Sequence, residues 1–326
     1  MKIFNRRTDQ FKKVQPLPEG LYHMQADEKP LRIHLRLRTD GTGLLILNAS
    51  TVLQLNPTAA EYAYHFIKGA QPEDAAKEIA SRYRIPRVQA LEDYSEFAER
   101  IQALIETPDL DPVSFLDFER VAPHSADLTA PLRIDCALTY RVPKGTKPDV
   151  APTKRAPREL TTDEWCALLD KCWQAGIPHV TFTGGEPTLR EDLSLLIEHA
   201  EKLGMVCGLL TDGAALAKKK YLEQLLQTGL DHILLTLHPE DAAAWKAIKL
   251  IVAADIFLTV HITVNKATAK DGAKTVEKLA KLGVRNLSLS TPDKKFIGDM
   301  LAIQNKANAL NFTMRWDLPV PYSEAN

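Results

Sequence analysis

The chain carries almost no net charge: 41 Lys and Arg against 42 Asp and Glu leave −1 at pH 7. Holding a polyanion needs a basic excess, so neither nucleic acid nor an acidic membrane surface is an expected partner. Long apolar runs are missing too. The most apolar window, Leu250 to Val260, contains Asp255 and is too short to span a bilayer. The basic N-terminus (Lys2, Arg6, Arg7, Lys12, Lys13) has no apolar segment behind it and does not read as a secretory signal. A cytoplasmic location is the default expectation. Cysteine is scarce. Cys136, Cys166, Cys172 and Cys207 have no metal-ligand spacing, and Cys166 and Cys172, six apart on an expected helix, point in different directions. All four read as small buried hydrophobes, so no bound metal is expected. What remains, 326 residues with 45% hydrophobic and 25% charged, is an ordinary globular composition with the length of one large or two ordinary domains.

Residues 1–105 read as one compact unit. Leu31 to Arg38 alternates strictly, as a strand with one buried face does. Asp40-Gly41 supplies a hairpin turn, and Gly43 to Leu55 returns as one long or two short strands. Asn56 and Pro57 open a helix that ends at Gly69. Helices over Pro72–Tyr83 and Val88–Ile105 follow, the last with Leu91, Tyr94, Phe97, Ile101 and Leu104 on one stripe. This order resembles the small D protein of pyrroloquinoline quinone biosynthesis (PqqD-like), a winged-helix-like α+β domain. The matching residues are Leu53 to Glu61, Lys68-Gly69, Ala75 to Ala80, Tyr83, Asp93 and Phe97. The resemblance implies a peptide-recognition element of ribosomal-peptide modification. There a leader peptide adds as an extra strand beside the sheet, against the third helix. The expected peptide contacts are Arg32, His34, Arg36, Asp93 and Phe97. Arg32, His34, Arg36 and Arg38 share the outward strand face, either a face kept soluble by charge or a basic strip that selects an acidic peptide.

Residues 106–130, with Pro108, Pro112 and Pro123, read as a linker. From 131 to 326 the pattern is α/β. Strands are expected near 132–139, 179–183, 205–211, 231–238, 256–264 and 285–290, with a seventh edge strand over 311–316. Helices are expected near 162–175, 191–203, 217–228, 240–254 and 272–282. Repeated strand–helix units imply a parallel sheet, and six are too few for an eight-stranded barrel.

One turn carries the chemistry. Thr183-Gly184-Gly185-Glu186-Pro187 follows the strand at 179–183, and its two glycines leave room for a ligand against the backbone. The string resembles the second-strand turn of radical S-adenosylmethionine (radical SAM) enzymes, which holds the methionyl amino group of the nucleotide. The resemblance implies a partial (βα)6 TIM-like barrel. It also calls for a Cys-x3-Cys-x2-Cys loop after the first strand. Those positions fall here on Val142, Thr146 and Asp149, none a thiolate, so no iron–sulfur cluster is expected. The loop from Arg141 to Arg158 has six Lys or Arg against the single Asp149 and little apolar surface to bury, which suggests mobility.

Several expected strands split into an apolar row and a polar row. In Phe257 to Asn265 the polar row is Thr259, His261, Thr263 and Asn265. Thr236 and His238 continue it on the strand before. Either the polar row lines a wet interior, which needs hydrogen-bonding occupants, or the strand ends are polar merely because they approach the surface. The resemblance implies cofactor contacts from Thr183, Gly184, Gly185, Glu186, Pro187, Thr211 and Asp212, with Glu186 meeting a cationic group, and the polar row adds Thr236, His261, Thr263 and Asn265. Thr211-Asp212-Gly213 sits where relatives often carry Thr-Asn-Gly. Glu186 also reads as a helix N-terminal carboxylate, Asp212-Gly213 as a simple turn, and His238 and His261 as core histidines or acid–base groups. No catalytic residue is assigned.

The leading expectation is a non-catalytic, peptide-binding protein of radical SAM fold that takes a precursor or leader peptide and supports an intact radical SAM enzyme. The rivals are a cluster-independent enzyme holding S-adenosylmethionine or another small molecule, and a radical SAM enzyme with unconventional cluster ligation.

Overall fold

The computed structural model describes residues 15–25, 32–47, 51–107, 130–144 and 156–315. By contact density the chain forms two compact units. One is Met1–Leu132 with Cys172–Pro178, the other Arg133–Lys171 with His179–Asn326. The expected linker lies almost wholly outside the described residues, as do Thr146, Asp149 and the middle of the 141–158 loop.

The first unit holds a four-stranded antiparallel sheet of order β1-β2-β3-β4: Gly20–Gln25, Arg32–Leu37, Gly43–Leu47 and Thr51–Leu55. The 43–55 segment is thus two strands. β1 was not expected, because Gly20–Gln25 has no clean alternation and sits just after Pro16 and Pro18. At the β2–β3 turn Gly41 takes φ +83°, and Asp40 Oδ1 accepts the Thr42 N–H at 2.9 Å. Three helices follow: α1 (Pro57–Ile67), α2 (Pro72–Arg82) and α3 (Arg87–Glu106). Asn56 caps α1 by accepting the Ala59 N–H at 2.9 Å. Ile33, Leu35, Leu45, Ala60, Ile79 and Phe97 are among the core residues.

The outward, solvated face expected for β2 is a misreading. His34 and Arg36 are 1% and 4% exposed. The Arg36 guanidinium donates to the carbonyls of Ala130 (2.7 Å), Pro131 (3.1 Å) and Gly176, and the His34 ring meets Trp173 edge-on at 6.0 Å. Distant segments of the same unit, 130–131 and 173–176, cover that face, so both sides of the strand are inside. Phe97 also lies in the core, 5.9 Å from Tyr62. Asp93 is half-buried and accepts from Gln89 at 2.7 Å. The Arg32 side chain is outside the described set.

The second unit is a seven-stranded parallel sheet of order β11-β10-β9-β8-β7-β6-β5. Its strands are β5 (Arg133–Thr139), β6 (His179–Gly184), β7 (Val206–Thr211), β8 (His232–Thr236), β9 (Phe257–Thr263), β10 (Asn286–Ser290) and β11 (Thr313–Met314). The helices are α4 (Thr162–Gln174, which continues past the division between units), α5 (Leu193–Leu203), α6 (Lys219–Gln227), α7 (Ala242–Ala253), α8 (Gly272–Lys281) and α9 (Ile297–Ala309). Each expected strand and helix of this half is present. α9 was missed. It buries only Ile303 and Ala307 and shows Ile297 and Leu301 to solvent, so it has no apolar stripe to read.

The two rows along these strands are both buried. Val180, Phe182, Leu209, Ile233, Val260 and Leu287 form the apolar one. Thr181, Thr183, Thr259, His261 and Ser288 belong to the other and are at most 8% exposed. Register sets the polar residues side by side: Thr236 beside His261, and His261 beside Ser288. A buried polar row on a parallel sheet departs from the continuous apolar strands such sheets normally use. It is also the face that carries the expected site residues Thr183, Thr236, His261 and Thr263.

Candidate functional site at the carboxyl ends of the strands

The Gly-Gly-Glu-Pro turn leaves β6 under tight contact from β5. Gly184 has φ +132°, a conformation open to glycine, and an added Cβ would stand 2.5 Å from the Thr139 carbonyl oxygen. At Gly185 a Cβ would stand 2.1 Å from the Arg141 carbonyl oxygen. The Gly185 N–H donates to Thr139 O at 2.7 Å and the Glu186 N–H to Arg141 O at 2.8 Å. The glycines were read as room for a ligand; what approaches them here is the chain itself, as it leaves β5.

Glu186 is 3% exposed. Its Oε1 accepts from the Thr188 N–H (3.0 Å), the Thr188 hydroxyl (2.5 Å) and the Thr211 hydroxyl (2.8 Å), and its Oε2 from the Asp212 N–H (2.8 Å). The carboxylate caps the 3-10 turn Pro187–Leu189 and joins the end of β6 to the end of β7. Burial, then repulsion from Asp212, pushes it up to about 6. Burial and the Glu186 charge together push the Tyr221 phenol to about 12. Asp212 is half-buried and accepts the Ala214 N–H through Oδ1 at 2.8 Å. The carboxylate is thus a turn cap, close to the helix-entry reading, with most of its acceptor capacity already used.

A second polar assembly holds the base of the 141–158 loop. Glu159 Oε1 accepts from the Thr139 hydroxyl (2.6 Å) and the Tyr140 N–H (2.9 Å). Arg190 donates to the carbonyls of Leu138 (3.0 Å) and Leu160 (3.1 Å) and pairs with Asp192 through two nitrogens (2.8 and 2.6 Å). Asp192 also accepts the Thr162 hydroxyl at 2.6 Å, and the Arg190 hydrogen bond leads the causes that lower its carboxyl to about 2. Sequence reasoning passed over Glu159, Arg190 and Asp192. The Arg-x-Asp spacing just before α5 was the available signal, but it looks like any charged helix entry.

On β9 and β10, His261 is 7% exposed and surrounded by hydroxyls. Ser288 Oγ lies 3.2 Å from Nδ1; Ser290 Oγ and Thr263 Oγ1 lie 3.0 and 3.3 Å from Nε2. Burial pushes the imidazole down to about 4, so the ring is neutral at pH 7. Asn265 does not join this group: its Oδ1 accepts from the Ala267 and Thr268 N–H groups of its own turn. His238 is exposed. Thr183, Glu186, Thr211 and Asp212 thus gather at the ends of β6 and β7, and Thr236, His261 and Thr263 lie at the ends of β8 and β9.

A three-thiolate cluster does not fit the described donors. Val142 occupies the first ligand position. Cys136, Cys172 and Cys207 are buried, Cys166 is half-buried on α4, and among the described residues no group of three His, Cys, Asp or Glu is placed to hold a metal ion. Burial comes first among the causes that raise the Cys166 and Cys172 thiols, the opposite of what a ligand needs. Among the described residues no helix is long and apolar enough to cross a membrane.

Residues 136–292 match the model of the Radical SAM superfamily. The chain is 30% identical over 176 residues to the PqqA peptide cyclase of Streptomyces rochei, across 49% of this chain and 48% of the cyclase. To the PqqA peptide cyclase of Bradyrhizobium diazoefficiens it is 36% identical over 105 residues, 32% of this chain and 27% of that one. The chain spans about half the length of the curated relatives it matches, or less. Among solved structures, Streptococcus suis SuiB bound to the precursor peptide SuiA aligns over 90% of this chain and 73% of SuiB, with TM-score 0.57 and 15% identity. SuiB bound to S-adenosylmethionine aligns with TM-score 0.56 and 16% identity over the same shares. At such identity the likeness to SuiB is one of fold.

Proposed function

We propose that this chain captures a precursor peptide during peptide maturation. Residues 1–105 act as a PqqD-like recognition element, and residues 131–326 form a partial radical SAM barrel that generates no radical with its own ligands. The observation that carries the reading is the donor set after β5: Val142 at the expected first ligand position, and the four cysteines dispersed, Cys136 on β5, Cys166 and Cys172 on α4 and Cys207 on β7. Reductive cleavage of the sulfonium needs an electron passed through iron held by thiolates. The chain then works beside an intact radical SAM enzyme rather than in place of one. The relatives' names support the peptide half, since they are PqqA peptide cyclases and SuiB was solved with its precursor peptide.

Capture proceeds by strand addition. Among the described residues β1 and β4 are the sheet's edges. Along β4, exposed Val52 and Gln54 alternate with buried Leu53 and Leu55, the pattern of an edge that reads a peptide's side chains. Arg32 and Asp93 remain proposed peptide contacts, with Phe97 supporting α3 from the core. Buried His34 and Arg36 act by holding the sheet.

The buried polar row around His261 favours a second reading, in which the barrel keeps S-adenosylmethionine or another small molecule without a cluster. Calorimetry on the full chain tests the first, with any short peptide found to be encoded beside its gene as probe and S-adenosylmethionine in parallel. Micromolar peptide binding is expected. Anaerobic reconstitution should leave iron and sulfide far below stoichiometry. Four irons per chain would instead establish unconventional ligation.

A further inference from the structure

We infer that the hydroxyl-lined imidazole of His261 is a specificity element for an uncharged amide side chain of the peptide presented to the barrel. The inference rests on the peptide-maturation reading and narrows its substrate. His261 and Ser288 are buried, Thr236 and Thr263 are half-buried, and Ser290 is exposed, so the group opens toward the carboxyl ends of the strands. Every polar partner of the ring is a hydroxyl: Ser288 on one nitrogen, Thr263 and Ser290 on the other. A hydroxyl donates or accepts by rotating, and a neutral imidazole offers one donor and one acceptor. An amide presents the same pair and needs no counter-charge.

Charged groups fit poorly. Among the described residues the hydrogen-bond partners of the ring are neutral hydroxyls, which offer a carboxylate no counter-charge. Glu186 and Asp212 make the β6–β7 end acidic, which repels a carboxylate further. A buried ion without a partner is costly, whereas an amide keeps its hydrogen bonds. A cationic side chain would find its partner at Asp212 rather than at His261.

The test is side-chain NMR of the full-length protein with labelled histidine, His261 being assigned from the signal lost in His261→Gln. The probes are N-acetylglutamine amide and N-acetylglutamate amide at millimolar concentration. The glutamine probe should shift the His261 signals saturably, about tenfold more tightly than the glutamate probe, the size of one hydrogen-bonded group's discrimination. Ser290→Ala, at an exposed position, should weaken the glutamine probe about threefold and leave the fold intact. Equal or tighter binding of the glutamate probe overturns the inference, and so does an unmoved His261 with either probe. Calorimetry with any such neighbouring-gene peptide on the same sample separates the two levels. Peptide binding with a silent His261 removes only this inference; no peptide binding at all removes the function beneath it.

Discussion

Glu186 and His261 are both buried ionisable groups, and they respond to pH in opposite senses. Glu186 is pushed from 4.5 up to about 6, so its contribution to stability is complete below about 4.5 and is lost as pH rises through 6. His261 is pushed from 6.5 down to about 4, so its contribution is complete above about 6.5 and is lost as pH falls through 4. Between pH 4.5 and 6 the two slopes oppose each other. His261→Phe should therefore lose about 2 kcal/mol across that window relative to wild type as pH rises, and Glu186→Gln should gain about 2 kcal/mol. Urea unfolding of the three proteins at pH 4.5, 5.2 and 6 checks both signs. Parallel curves for all three would mean that neither group is as buried as its surroundings indicate.

At the scale of elements, the turn after β6 depends on closeness more than on flexibility. The Cβ of an alanine at Gly185 would overlap the Arg141 carbonyl oxygen, and Arg141 is held in place by the β5 end that Glu159 and Arg190 clamp. Gly185→Ala should cost about 2–3 kcal/mol or more. Hydrogen exchange should locate the loss at residues 139–141 and 184–188, with the distant β10 unchanged. A loss spread evenly over the whole sheet would argue against a local clash. The two glycines were legible in the sequence as a place of close approach. The approaching partner was not, because Arg141 lies 44 positions upstream by its number and only strand pairing brings it there.

At the scale of the molecule, the first unit is not continuous in sequence. It recruits Cys172–Pro178, and Arg36 bonds both that segment and 130–131 to β2. Arg36→Leu would remove the guanidinium from the buried Gly176 carbonyl and from the part-buried carbonyls of Ala130 and Pro131. It should destabilise β2 by about 2 kcal/mol, seen as roughly thirtyfold faster amide exchange over Leu35–Leu37. Unchanged exchange would mean that apolar packing of Leu35 and Leu37 alone holds the strand. The same dependence bears on the expectation that residues 1–105 stand by themselves, since a fragment ending there lacks every acceptor of Arg36.

Local signals were enough for the strand–helix alternation, the Asn56 cap, the Gly41 turn and the absent cysteine motif. Periodicity, capping and turn chemistry act within a few residues, and a missing thiol is missing in any fold. Whether a polar side chain faces water was beyond their reach. Arg36 and His34 alternate with leucines as solvent-facing residues do, yet segments about 95 and 140 positions away enclose them. Glu186 reads as a ligand contact or a helix-entry carboxylate until Thr188, Thr211 and Asp212 converge on it, and His261 as a core histidine or acid–base group until Ser288 and Ser290 arrive from the next strand. Burial and hydrogen-bond partners belong to pairs of distant residues, so only the tertiary structure decides them.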